Sequence, residues 1–336
     1  MGEAILWAKQ WMVYAGEAMF SSPSSHSTSD PLSNVLALLD LSSVRCTRLE
    51  AGGAWSLSLP VRERLKFVAV LRGTAWIVLP DREPCLLETG DTFLLTNTPY
   101  VVASDPALPP EDGIALFGEK NILQLSSNVL GGRNEPDGHD TVMLGGAFTF
   151  SDANAPRMIE ALPAFMHIRA NSPAAAVLRD TLGLLNREVE QSNMGSTLMT
   201  ERLGDILLIQ ALRAYVAEYG TDATGWLGAF ADARIGGAIK LMHNAIDHPW
   251  TVGELASAVA MSRSAFALRF KSMVGVAPLE YLRRWRMQLA QHALHKGSCS
   301  VAALASSLGY ASVSAFGNAY KRSYGQSPRQ KRLREP

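Results

Sequence analysis

With 336 residues, 47% of them hydrophobic and 18% charged, the chain is long enough for two folded domains, and its composition excludes dominant disorder. The formal net charge of +0 hides a split: residues 237–336 hold 14 Lys+Arg against 4 Asp+Glu, which leaves 17 and 27 for residues 1–236, so a part at +10 follows a part at −10. No apolar run reaches the roughly twenty residues that span a bilayer, and Cys46, Cys85 and Cys299 show neither a C-x-x-C metal spacing nor an even disulfide framework, which reads as a cytoplasmic protein without a membrane partner.

Residues 1–30 read as a poorly ordered extension: an apolar stretch interrupted by Lys9, then the Ser-rich run 21–29, with no secretion signal. From Leu41 to Leu130 short apolar or alternating runs are broken by turn residues. Trp55–Leu59, Leu65–Leu71, Thr74–Leu79 and Thr92–Leu95 are the clearest strands, and Arg72-Gly73, Pro80-Asp81 and Gly90-Asp91 punctuate them, which predicts a small antiparallel barrel or sandwich. From Arg157 to Tyr219 the period becomes helical. Leu178, Leu182, Leu185 and Val189 mark one amphipathic helix, and Leu203, Leu207, Ala211 and Ala214 mark a second. The second stripe is expected to be a subunit interface, although the same periodicity fits a helix packed on its own barrel. Gly225–Gly237, where composition turns from acidic to basic, is the expected domain boundary, giving a sensor or pairing domain over 31–225 and a helical domain over 230–336.

Within the basic part, Ile235, Ile239, Met242 and Ile246 predict a leading helix. Pro249-Trp250 breaks it, and Thr251-Val-Gly-Glu254 has the form of a capping box that opens the next helix, with Leu255, Ala256 and Val259 facing inward. The segment 254–266 then matches 303–316 with one extra residue in the second turn. Phe270 falls on Tyr320, Lys271 on Lys321, Gly275 on Gly325 and Pro278 on Pro328. An internal period of about fifty residues is a duplication, here of a helix-turn-helix unit. Between the copies Pro278–His295 reads as one helix with Leu282, Trp285, Leu289 and Ala293 buried. Its eighteen residues make a rod of roughly 27 Å, suited to setting two recognition helices about one DNA turn, roughly 34 Å, apart.

The second helix of each copy is expected to enter the major groove of double-stranded DNA N-terminus first. The candidate contacts are Arg263, Ser264, Ala267, Leu268 and Lys271 in the first copy, and Ser312, Val313, Ser314, Gly317, Asn318, Lys321 and Arg322 in the second. Arg263 and Asn318 have donor forks suited to guanine and adenine edges, whereas Lys271, Lys321 and Arg322 suit phosphates. Phe266, Phe270, Phe316 and Tyr320 recur at helical spacing and read as core. Ala256 and Ala305 lie where the paired helices come closest. Arg283, Arg284 and Arg286 read equally as a solvated face or as phosphate contacts.

These two copies, the joining helix with Trp285-Arg-Met-Gln-Leu-Ala290, Trp250-Thr251, Gly309-Tyr310 and the closing Gly325-Gln-Ser-Pro328 resemble the AraC/XylS family of bacterial transcription regulators. Upstream, Leu203–Arg213, Gly225-Trp-Leu227 and Ala231–Ile235 resemble the subgroup with a cupin-type N-terminal sensor. The resemblance implies an α+β two-domain chain: a cupin-like antiparallel β-barrel with following helices, then an all-α domain with two helix-turn-helix motifs. It also implies an activator working with RNA polymerase at the nucleoid, probed by a small-molecule effector and pairing as a homodimer. Lys331 and Leu268 depart from the family pattern, where an aromatic and a polar residue are common. Residues 41–138 contain no histidine, so no metal, cofactor or catalytic residue is expected in the barrel.

Two other functions are set beside the regulator. One is redox sensing through Cys46, flanked by Arg45 and Arg48, and Cys85. The other is an enzyme with a DNA-targeting tail, for which the sequence offers no nucleophile and base, phosphate loop or metal cluster.

Overall fold

The computed structural model describes residues 30–39, 41–60, 65–126, 140–150, 155, 159, 162–191, 193–222, 226–295 and 299–328. Of the extension expected over 1–30, residues 1–29 with the Ser-rich run lie outside the described residues, as does Lys331.

A short helix α1 (Pro31–Leu39) leads into strands β1 (Leu41–Gly52), β2 (Ser56–Leu59), β3 (Leu65–Arg72), β4 (Thr74–Val78), β5 (Cys85–Glu88), β6 (Thr92–Thr96), β7 (Tyr100–Ala103) and β8 (Glu111–Asp112). The one-turn helix α2 (Gly113–Phe117) follows, then β9 (Ile122–Ser126), β10 (Thr141–Phe150) and β11 (Phe165–Ile168). They form a six-stranded sheet in the order β11-β6-β3-β10-β1-β9 and a five-stranded sheet in the order β5-β4-β7-β2-β8. Pairing is antiparallel except at β1–β9 and β2–β8, which are parallel, so the expected all-antiparallel barrel is corrected at one edge of each sheet. Both parallel strands arrive after long excursions rather than tight turns, which is what parallel pairing requires.

β3 explains the layering. Its run Leu-Lys-Phe-Val-Ala-Val-Leu is nearly continuous in apolar residues because both faces are covered. Leu65, Phe67 and Ala69 point to a helical layer, and Val68 and Val70 to the other sheet. That helical layer is α3 (Ala175–Gln191) and α4 (Ser196–Tyr219). Leu178, Leu182 and Leu185 are buried as the period predicts. Leu203, Leu207, Ala211 and Ala214 are buried too, in the same cluster as Phe67, Leu144 and Phe148. The stripe expected at a subunit interface is therefore core, because the sheet face needs a cover and α4 supplies it. At Gly204 the two surfaces come so close that a Cβ would lie 2.4 Å from Val44 Cγ2.

The boundary expected over Gly225–Gly237 is not a bare linker. It holds α5 (Trp226–Ala231) and the start of α6 (Ala233–Asn244). Leu227 joins the sheet-and-helix core, whereas Ala229 joins the core of the first helix-turn-helix unit, so α5 is shared. α7 (Val252–Ala258) and α8 (Arg263–Val274) complete that unit. The long helix α9 (Pro278–His295) crosses to the second, α10 (Val301–Ser307) and α11 (Val313–Tyr324). Leu282 lies in the first core, and Met287, Ala290 and Leu294 lie in the second. α1 sits against α9 through Val35, Leu38 and Trp285, while Leu39 belongs to the sheet-and-helix core.

Candidate DNA interface and barrel cavity

The two copies share backbone chemistry as well as sequence. Met261 N–H donates to the Ala256 carbonyl at 2.9 Å, and Tyr310 N–H donates to the Ala305 carbonyl at 3.0 Å. In each turn one residue takes the left-handed conformation, Ala260 at φ 53 and Gly309 at φ 74. Ser262 caps α8 by accepting from Ala265 N–H at 3.3 Å, and Ser312 caps α11 by accepting from Ala315 N–H at 3.1 Å. The extra residue of the second turn is Ala311, inserted before the cap. Both helices are twelve residues long and end on a left-handed glycine, Gly275 and Gly325. The Thr251–Glu254 capping box is present in full.

Phe266, Phe270, Phe316 and Tyr320 are fully buried, and Ala256 and Ala305 are buried at the helix crossings. This fixes which face is left. Arg263, Ser264, Leu268, Lys271, Ser312, Val313, Ser314, Asn318, Lys321 and Arg322 are exposed, with Ala267 and Gly317 half-buried beside them. Leu268 is 75% exposed on this face. Ser312 is occupied as a cap, so its hydroxyl holds the helix start as well as lying at the interface.

Two residues that position this surface, Ser262 and Arg269, escaped the sequence reading, and a third, Arg286, has a role other than the two expected of it. Ser262 is the counterpart of Ser312, hidden by the insertion. Arg269, on the recognition helix, pairs with Asp232, the N-cap of α6; its Nε donates to Oδ2 at 3.1 Å, and Nη2 also contacts that oxygen. Burial works against ionised Asp232, but the Ile235 amide, Arg269 and the Arg234 amide outweigh it and hold its carboxyl below the usual range. Arg286 is neither a solvated group nor a phosphate ligand. Its Nε donates to the Ile246 carbonyl at 2.8 Å and its Nη2 to the His248 carbonyl at 2.9 Å. Arg283 and Arg284 both pair with Glu280, and Arg283 also donates to Ser323 Oγ at 3.0 Å. Spacing on a helix does not reveal partners from another unit.

Between the sheets lies a pocket of about 180 Å³, open to solvent on one side and lined by Leu57, Val68, Val102, Phe117 and Met143 among others, with Arg45, Lys66 and Tyr100 in its wall. Cys46 lies elsewhere, buried in the sheet-and-helix core, where burial pushes its thiol up to about 12. A thiol kept protonated is a poor nucleophile, so the redox reading loses its first residue. Cys85 is half-buried and donates weakly to the Leu86 carbonyl. Among the described residues no group of three His, Cys, Asp or Glu stands together as a metal site, and no helix is long and apolar enough to cross a membrane.

A cupin family model matches residues 30–217, and a helix-turn-helix domain model matches residues 255–334. The chain is 38% identical to an AraC-like transcription regulator of Streptomyces antibioticus, covering 89% of this chain and 97% of that one. It is 36% identical to another from Streptomyces lividans, covering 89% and 96%. Among solved structures, the DNA-binding domain of AdpA in complex with a target DNA is 31% identical over 29% of this chain and 86% of that one, with a TM-score of 0.28. With relatives of this kind over nearly its whole length, the chain belongs to the AraC family, as a transcription regulator with an N-terminal cupin domain and a C-terminal helix-turn-helix domain.

Proposed function

We propose that the chain binds double-stranded DNA through α8 and α11 in successive major-groove faces, with its N-terminal half sensing a small molecule and pairing two copies. The observation that carries this reading is the matched pair of exposed helix faces: the same backbone turn, the same serine cap and a buried aromatic pair turn the outer face of a twelve-residue helix to solvent in both copies. Arg263 and Asn318 read base edges, Leu268 and Val313 meet methyl groups, and Lys271, Lys321 and Arg322 bind phosphates. Ser264, Ala267, Ser314 and Gly317 let the helices lie close to the groove floor. Within the family's pattern the chain acts as an activator that recruits RNA polymerase. Pairing uses the outward face of the α3–α4 hairpin, where Leu184, Leu198, Met199 and Ile206 are exposed, since the inward face is filled.

The test is binding of the whole chain to genomic fragments it enriches, followed across salt concentration. Counterion release makes log affinity fall linearly with log salt, and Lys271→Ala or Lys321→Ala each reduces that slope by about one. A salt-independent affinity, or no enrichment at low salt, sinks the reading.

A further inference from the structure

We propose that the N-terminal domain governs DNA reading through the first recognition helix alone, and that the Asp232–Arg269 pair is the link. The proposal rests on the reading of α8 and α11 as DNA-contacting helices and names the regulation of that surface. Arg269 acts in it as a positioning residue.

The two recognition helices stand differently toward the N-terminal domain. The apolar clusters that join that domain to the helical one hold residues of α1 and of α5 to α9, and none of α10 or α11. Leu227 lies in the N-terminal core, while Ala229, two residues on, packs with Phe266 and Phe270 of α8. Val35, Trp226 and Phe230 instead share the lining of an open groove of about 550 Å³ with Arg322, Ser323 and Tyr324 at the end of α11. A movement of α5 thus reaches α8 through packed atoms and meets open space on the direct way to α11.

The corner between α5 and α6 is stiff. Asp232 N–H donates to the Gly228 carbonyl at 3.1 Å, and the Asp232 carbonyl accepts from Gly236 N–H at 2.8 Å. A Cβ at Gly236 would lie 2.6 Å from the Phe230 carbonyl oxygen, so the corner has no slack. The Asp232 carboxylate, buried there, divides its two oxygens. Oδ1 accepts from the Arg234 and Ile235 amides at 3.0 and 2.8 Å, and Oδ2 takes Arg269. A charge-assisted bond to a carboxylate is stronger than a neutral one, and this one fixes the rotation of α8 at the residue next to Leu268. The register that places Phe270 on Tyr320 puts Ala319 opposite Arg269, so α11 has no counterpart of this tie. Arg286 holds the chain just beyond the far end of α6, about 18 Å away at 1.5 Å per residue, so releasing Asp232 leaves the junction between the units closed.

Selection of the full chain on a randomised operator tests this, with the α8 half-site identified by Arg263→Ala and the α11 half-site by Asn318→Ala. Asp232→Asn keeps a side chain that caps α6 equally well, and Arg269→Gln keeps most of the apolar stem. Each is expected to weaken base preference at the α8 half-site about fivefold, and the double variant no more than either single one, because contacting residues act as a unit. The α11 half-site and the salt dependence of affinity stay as in wild type. Leu227→Ala opens a hole where α5 meets the N-terminal core. It is expected to relax the α8 half-site severalfold, with no further effect in the Arg269→Gln background; if circular dichroism shows it unfolded, Leu227→Val replaces it. A salt slope reduced by about one in Arg269→Gln makes that residue a phosphate ligand and overturns the positioning role. Equal losses at both half-sites, or additive effects of Leu227→Ala and Arg269→Gln, overturn the link. Wild type that reads two half-sites while the variants match it removes this inference alone. Wild type that selects no sequence at low salt removes the DNA-reading proposal as well.

Discussion

The guanidinium of Arg286 lies 5.9 Å from the centre of the Tyr310 ring, while the same group donates to the carbonyls of Ile246 and His248. One side chain of the joining helix thus holds the turn before α7 and the turn before α11 together. Gly309 adds to this closeness, because a Cβ there would lie 2.2 Å from the Asp247 carbonyl oxygen. The two recognition helices are therefore held at a fixed separation by direct contact between units, not by α9 alone.

Arg286→Ala is expected to relax the spacing requirement of the operator. Wild type should prefer one distance between half-sites, whereas the variant should lose about tenfold at that distance and much less when one base pair is inserted. Arg286→Lys should not restore the preference, since an ammonium lacks the planar fork that reaches two carbonyls. Equal losses at every spacing would reduce Arg286 to a general stabilising role.

The two turns should respond in opposite ways to exchange of alanine and glycine. Ala260 holds a left-handed conformation that costs an L-residue roughly 1–2 kcal/mol, so Ala260→Gly is expected to raise the melting temperature. Gly309→Ala adds the same conformational cost and a collision with Asp247, and should destabilise the second unit by more than about 2 kcal/mol. Thermal melting of the two variants decides the matter, and a stabilised Gly309→Ala would contradict the contact.

Leu207→Asp should unfold the N-terminal domain, because Leu207 is fully buried beneath the six-stranded sheet. Ile206→Asp, one residue away on the outward face, should leave the fold intact and convert a paired protein to a monomer in sedimentation at micromolar concentration. A wild-type monomer at that concentration would remove pairing through this face.

Asn318→Ala should leave melting unchanged and cost about 1–3 kcal/mol at a single base position. Its neighbour on the same helix, Lys321→Ala, should weaken all sequences alike. Selection from a randomised operator separates the two patterns, and a uniform loss for Asn318→Ala would move that residue to the phosphates.

Acid should weaken the junction between the domains. His243 stacks on Trp285 with ring centroids 4.1 Å apart, and its ring nitrogens meet Tyr281 Oη at 2.8 Å and Asn34 Nδ2 at 3.3 Å. Burial pushes its pKa down to about 3 from the usual 6.5. Between those values the unfolded chain binds the proton and the folded chain does not, so stability is full above about 6.5 and is lost as pH falls towards 3, by up to about 1.4 kcal/mol per unit. His243→Gln should flatten the acid limb of the melting-temperature profile between pH 6.5 and 4.5; an unchanged slope would assign that limb to other groups.

Much of the DNA-binding half was legible in the sequence, because its signals are local. The Thr251–Glu254 box and the spacing of Phe266 from Phe270 each depend on residues within one or two helical turns. Of the stripe expected on α9, by contrast, only Leu282 and Trp285 are buried, and Met287, Ala290 and Leu294 are buried where Leu289 and Ala293 were expected, because two different units pack on the helix. Strands β1 and β10 were harder to read. Pairing joins Cys46 to Gly146 across a hundred residues, and β10 lies beyond the stretch whose alternation predicted the sheet. The stripe on α4 showed correctly that one face is apolar, but periodicity is the same whether a sheet or a second subunit covers it.

The sequence by itself determined the duplicated motif, the Thr251–Glu254 cap, the buried aromatics and the outward positions of Arg263, Leu268 and Asn318, since helix geometry assigns faces from spacing alone. Only the tertiary structure decided what lies opposite those faces. It placed Leu207 in the core, took Arg269 and Arg286 out of the pool of free cations, buried Cys46, and brought Arg45, Lys66 and Tyr100 into the wall of one pocket. These relationships join residues far apart in the chain, and their energies depend on distances that no local pattern encodes.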